Sequence, residues 1–420
     1  MKNPTATVSP DEIKTLRGLA QKKAAIAALP VQQERRQLWT RLNRLEAVRP
    51  PIWIFEIPWH EMEVDHELQN VCRHPLLLQI ENGLRQKLYQ WNHMPGDMVV
   101  DPFILAQPVI KDTGFGLEEK VDTVKTDENN PVVSRHFIIQ IKDEADIEKI
   151  QTPKISHDRE QSEKNFALLS EIFDGVIRVE KGGVTQTSIA PWDFLVRLTG
   201  VEEILMDMHV RPEYVHRLMT RLTQAHLAVL DQYEALGLLA LNNNNTRTGG
   251  GLNFTNELPA PGFNPAAVRP IDMWGRTMSQ IFASVSPAMH EEFALQYECQ
   301  WLKRFGLAYY GCCEPLHQKV GILRRHVPNL RKISMSPWIN LDEAAANVGQ
   351  DYVFSLKANP SVLATGQWNP EAVREELRSI LKRLKGLRVE IIMKDISTVR
   401  HDPRRLWEWE KIARQTSEDF

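Results

Sequence analysis

With 420 residues, 42% of them hydrophobic and 25% charged, the chain can fold as two ordinary domains or as one barrel with insertions. A formal net charge of -3 provides no basic face of the kind that nucleic-acid binding demands, so no nucleic-acid partner is expected. The start MKNPTATVSPDE lacks a secretory pattern, no stretch approaches the roughly 18 apolar residues of a membrane helix, and four scattered cysteines form no disulfide framework, so a cytoplasmic protein without membrane contact is expected.

Residues 1–47 read as two polar-faced helices outside any repeating pattern, an extension that either closes a barrel bottom or joins a homodimer. The strand candidates of the first half are 51–55 (PIWIF), 99–105 (VVDPFIL) and 185–190 (TQTSIA). Between about 112 and 145 the sequence reads as an inserted hairpin. The second half is more regular. Pro212 opens a helix that stops at Gly237, and LLALN (238–242) follows as a strand. Ser286 and Pro287 open the next helix, Gly306 stops it, and LAYYG (307–311) is the next strand. RKISMS (331–336), YVFSLK (352–357) and VEIIMK (389–394) then alternate with helices, the last of which starts at DPRR near residue 402. Five strands here and three before them make eight, the count of a TIM (β/α)8 barrel over 48–420. An open doubly wound sheet is the structural alternative, but no glycine-rich phosphate turn follows any of these strands.

In such a barrel the reactive groups sit where strands end. After the fifth strand comes GCCEPLH, placing Cys312, Cys313, Glu314 and His317 at one such end. Thiolate and imidazole are zinc ligands, so Cys312, Cys313 and His317 are candidates for a metal, although no CxxC spacing supports a structural zinc site. Packing of one thiol as a small hydrophobe is the plain alternative. The stretch FEIPWHEM offers Glu56 and His60 as acid and base, or as ligands, with Trp59 beside them. At APWDFLVR, Trp192 can stack on a flat ligand and Arg197 can hold a carboxylate, unless they merely plug and cap a helix start. The asparagine run, with Asn242 and Asn244, reads as a polar loop able to cover a ligand. Tyr310 and Lys357 complete the candidate contacts to a small-molecule substrate, while Lys394 and Asp395 read as an ordinary ion pair.

The stretch IAPWDFLVRLTGVEEILMDMHVRPEYVHRLMTRL, followed by SPAMHEEFALQY, the cysteine strand, NLRKISMSPWINLDEAAANVG and VFSLKANPSVLA, resembles the uroporphyrinogen decarboxylase superfamily in segment order, over roughly residues 160 to 400. The resemblance implies a TIM barrel and either decarboxylation or corrinoid-linked methyl transfer. The decarboxylases carry an arginine-rich motif near the start. The comparable place here, RPPIWIFEIPWHEM, has Arg49 but then Glu56 and His60, and an acidic side chain there repels a polycarboxylate porphyrinogen. The methyltransferases hold zinc through His-x-Cys at a strand end and a later cysteine. Cys312 falls on that first cysteine and Tyr310 on the histidine, but the last strand ends in MKDIS without a cysteine. The resemblance thus implies a methyltransferase or demethylase that passes a methyl group between a small substrate and a corrinoid protein, with zinc as its expected metal. A metal-independent decarboxylase or lyase on another carboxylated substrate is the alternative, and a non-catalytic ligand- or corrinoid-binding barrel a third.

Overall fold

The computed structural model describes residues 8–124 and 134–420. Its centre is a seven-stranded parallel sheet in the spatial order Ile52–Ile54, Arg388–Met393, Val353–Lys357, Leu330–Met335, Leu307–Tyr310, Trp274–Thr277 and Ser188–Ile189. Phe103–Ala106 pairs in parallel with Arg178–Lys181, a few residues upstream of the sheet's last strand. The architecture is therefore an α/β fold with a parallel half-barrel sheet, one strand fewer than the closed barrel expected.

One strand was misplaced by the sequence pattern. LLALN makes only a single bridge, Leu239 to Val184, and the position beside Leu307–Tyr310 belongs to Trp274–Thr277. WGRT was unreadable as a strand because its glycine packs under Phe305 and its arginine faces inward, so no apolar alternation marks it.

Alternation along each strand divides the side chains into two sets. Ile52, Ile54, Tyr310, Ile333, Met335, Phe354, Leu356, Ile391 and Met393 point outward into one large apolar layer under the helices. The inward set is mostly polar. Lys332 Nζ meets Glu390 Oε2 at 2.8 Å, and Lys357 Nζ meets the Tyr309 hydroxyl at 2.8 Å and Ser355 Oγ at 3.0 Å. A sheet buried on both faces usually reads as continuous Val, Ile and Leu; this one is filled with paired charges and chain from elsewhere.

Two segments supply that filling. The helix Pro10–Ala27 packs on Pro75–His93 and Arg159–Phe173, while Val31–Asn43 reaches the inner face of the sheet, where the fully buried Trp39 lies 5.7 Å beneath the Lys332 ammonium. The loop after Asn242 dips inside as a narrow turn whose sides meet at an Arg247–Leu252 bridge. A Cβ at Gly250 would stand 2.1 Å from Glu390 Oε1, and one at Gly251 2.2 Å from Trp39, so close backbone approach accounts for both glycines.

In the insertion, Val121–Val124 pairs antiparallel with Ser134–Phe137; the tip of the expected hairpin lies outside the described residues. Among those residues no helix is long and apolar enough to cross a membrane.

Candidate active site

Parallel register decides what meets at the C-terminal mouth of the sheet. Ile54 pairs with Met393 and the Phe55 amide donates to the Met393 carbonyl at 3.1 Å, so Glu56 and Lys394–Asp395 emerge side by side. Glu56 and Asp395 both carry positive φ angles, 54° and 55°, a conformation disfavoured for residues with a Cβ. Such strain at two adjoining strand ends is typical of sites where geometry is held for chemistry. Gly311, at φ 95°, turns the chain after Leu307–Tyr310; a Cβ there would fall 2.4 Å from Leu316. That turn brings both cysteines over the same mouth.

The Lys394 ammonium is the hub. Its Nζ lies 3.2 Å from Cys312 Sγ, 3.5 Å from Cys313 Sγ, 2.9 Å from Asp395 Oδ2 and 3.6 Å from Glu56 Oε2. The two sulfurs are 3.6 Å apart, and Cys313 Sγ donates to Asp395 Oδ2 at 3.0 Å. Further out, Arg276 donates to the Gly311 carbonyl at 3.0 and 3.1 Å, and Arg247 stacks on the Phe55 ring at 3.9 Å.

These contacts set the protonation states. The Cys313 sulfur alongside, with the charges of Arg276 and Lys394, outweighs burial and lowers the Cys312 thiol to about 4, toward the thiolate. Cys313 moves the other way, since it stands beside the Cys312 sulfur, is buried and keeps its proton on the hydrogen bond to Asp395. Burial, then a hydrogen bond with Asp395, raises Glu56. Asp395 is lowered: burial opposes this, but hydrogen bonds from Glu56 and Cys313 and the Lys394 charge prevail. The two shifts run in opposite directions, so of the pair Glu56 holds a proton more readily than Asp395. Burial raises Asp193 to about 6 and also raises Glu314, whose Oε2 accepts from the Cys312 amide at 2.8 Å while Oε1 has no partner.

A cleft of about 590 Å³ opens against this cluster, walled by Ile57, Pro58, Trp59, His60 and Ile396 and reaching Glu56 and Asp395. Thus Glu56, His60, Trp59, Cys312, Cys313 and Glu314 come together around one mouth. Lys357 lies deeper, bonded to Tyr309 and Ser355 and lowered to about 7 by burial.

Other sequence candidates lie elsewhere. Tyr310 faces outward, because alternation puts Tyr309 inward, and its hydroxyl sits 2.5 Å from both Glu298 and His290. Trp192 is fully buried and donates to the Phe293 carbonyl, so it is a packing plug rather than a stacking platform. Arg197 pairs with Glu119 of the insertion. Asn242 is sealed against Trp274 and Thr187, and Asn244 merely closes a turn on Leu241. His317 looks toward Glu343 at 3.8 Å instead of the thiols.

The donor set does not fit the expected zinc. Among the described residues no three His, Cys, Asp or Glu side chains are grouped to hold a metal ion. The centre that an ion would occupy is taken by an ammonium, with guanidinium groups nearby, and a divalent cation would meet like charge there. Lys394 was legible only as an ion pair and Arg276 was not singled out; the one signal in the sequence was a Lys-Asp dipeptide directly after a buried apolar run.

No family model and no curated protein matches the chain. Among solved structures, a methyltransferase from Methanosarcina mazei is similar at a TM-score of 0.48 and 11% identity, covering 92% of this chain and 98% of that one.

Proposed function

We propose that the chain is a methyl-transferring enzyme of the uroporphyrinogen decarboxylase superfamily, moving a methyl group between a small substrate and a corrinoid protein, with Cys312 as the sulfur that takes the methyl group. The observation that carries this reading is the Lys394 hub, which keeps a nucleophilic thiolate and a carboxyl pair of unequal acidity within one ammonium's reach. The Cys312 sulfur attacks the methyl carbon with its electron pair, and the bond from that carbon to the leaving atom breaks toward the leaving atom. The proton held on Glu56 then goes to that atom where it is an oxygen or nitrogen. Lys394 favours the reverse step as well, because it stabilises the thiolate that departs when the methyl group leaves sulfur. No metal is assigned a step.

Methylcobalamin is the probe methyl donor. Under anaerobic conditions the Cys312 peptide should gain the mass of one methyl group as cob(I)alamin forms, and a folded Cys312→Ser variant should do neither. An unmodified Cys312 after long incubation, with the thiolate shown to be present by alkylation, would sink the reading. The second reading, a metal-independent decarboxylase or lyase, is favoured by Arg247, Arg276 and Lys357 around the mouth, which suit a carboxylated substrate.

A further inference from the structure

Among the described residues, Arg247 is the one guanidinium at the mouth with no protein acceptor. Arg276 gives its hydrogen bonds to the Gly311 carbonyl and to Met278 sulfur. Arg247 is half-buried and stacked at 3.9 Å on the Phe55 ring, yet among the described residues it makes no hydrogen bond or ion pair. Its backbone is fixed by the bridge to Leu252 and its planar group by the ring beneath it. A guanidinium seated over an aromatic ring, partly desolvated and unpaired, is placed to take a planar anion through two parallel N–H bonds. Lys394 lies 5.8 Å from the same ring, so that anion would sit beside the thiolate and the carboxyl pair.

Charge at the mouth points the same way. Arg247, Arg276 and Lys394 bring three cationic side chains to the mouth, facing the Cys312 sulfur and the carboxyls of Glu56, Asp395 and Asp193. The adjoining cleft is walled by Ile57, Trp59 and Ile396, which favours an apolar body over a polar one.

We propose that Arg247 is a substrate-binding residue: the site takes a small carboxylic acid with an apolar body, its carboxylate paired with the Arg247 guanidinium and its reactive end directed to Cys312. This rests on the reading of Cys312 as the reacting sulfur, and it assigns the class of molecule that brings or receives the methyl group.

Benzoate serves as the probe, with benzamide and inorganic phosphate as controls. Calorimetry on the wild type should detect benzoate at least tenfold more tightly than benzamide or phosphate, and Arg247→Gln should lose at least tenfold of that affinity while melting cooperatively. Arg247→Lys should recover only part, because an ammonium cannot form the two-pronged pair. Phenylglyoxal labelling of the wild type provides a readout that needs no variant: benzoate should protect Arg247 and benzamide should not. Equal binding of benzoate and benzamide, equal binding of phosphate, unprotected Arg247, or undiminished benzoate affinity in Arg247→Gln would each overturn the proposal. The pH profile of Cys312 alkylation, measured on the same samples, separates the two levels. A thiolate that persists at low pH without benzoate binding fails the carboxylate alone, whereas an ordinary thiol profile fails the reading beneath it.

Discussion

Two lysines project from the same inner face of the sheet, and the contrast between them separates a structural charge from a chemical one. Lys332 lies near the N-terminal ends of the strands, about 1% exposed, and meets one carboxylate, Glu390, which has no exposure at all. Trp39, Trp274 and the backbone of Gly251 close around that pair. Lys394 lies at the opposite end, about 5% exposed, and faces two carboxyls and two thiols with one positive charge. Its partners stand at strained backbone positions and border an open cleft. A one-to-one buried pair satisfies itself and has nothing to give. One ammonium shared by four acidic groups leaves those groups with unequal protonation states, which is what proton transfer and nucleophilic attack require.

The sharpest way to break the contrast is to remove an acid from the sealed site. Glu390→Ala leaves Lys332 charged and unpaired in the interior, and should cost about 3–5 kcal/mol of stability. Urea denaturation reads this, and a loss below about 1 kcal/mol would mean that water reaches Lys332. Lys394→Met should act on the chemistry as well as on stability, raising the Cys312 thiol from about 4 toward the ordinary thiol range. Iodoacetamide alkylation of Cys312 at pH 6 should slow by about tenfold where the thiol rises to about 7 and by about a hundredfold where it rises to about 8, because only the units above the working pH each cost a factor of ten in thiolate. Stability should change its pH dependence too. The folded thiol titrates below its unfolded value, so its contribution is complete above about pH 8.5 and fades as pH falls toward 4. In the variant that slope should flatten.

Gly250→Ala tests the plug between the two sites. Its Cβ would fall against Glu390 Oε1 and 2.8 Å from the Tyr309 ring, so overpacking should cost about 1–3 kcal/mol. This plug was among the least legible features. TGGGLN is readable as glycine-rich loop, but nothing in a local pattern says that it enters the barrel, because close approach involves Glu390 and Trp39, far away in sequence. The helices and the strands at 307–310, 330–335, 353–357 and 388–393 were readable from caps and apolar runs, since those signals are local. Trp274–Thr277 was not, because an inward arginine and a packed glycine erase the pattern of a buried strand. At the site, Cys312, Glu56 and Trp59 stood out by residue type and strand end. The role of Lys394 did not, since it arises from the register of Ile54 on Met393 and from two positive φ angles that no motif encodes.

Tyr310 gives the smallest effect and draws the line between the mouth and the wall behind it. Only two residues from Cys312, it points through the sheet to a buried trio in which its hydroxyl lies 2.5 Å from Glu298 Oε2 and His290 Nε2. Tyr310→Phe keeps the ring and removes the hydroxyl, so about 1 kcal/mol should be lost at pH 5. Burial holds Glu298 up to about 7, while the Tyr310 hydrogen bond favours its charged form. A carboxyl raised in the folded state contributes stability that is complete below its unfolded value and is lost as pH rises through the folded one. Removing the hydroxyl pushes Glu298 higher still, so the variant should lose more stability at pH 8 than at pH 5. The alkylation profile of Cys312 should stay as in the wild type, because no atom of the Lys394 hub touches this trio. A Cys312 profile that shifts with Tyr310→Phe would join the two faces of the strand into one proton network, and the mouth could then no longer be treated as a site apart from the wall.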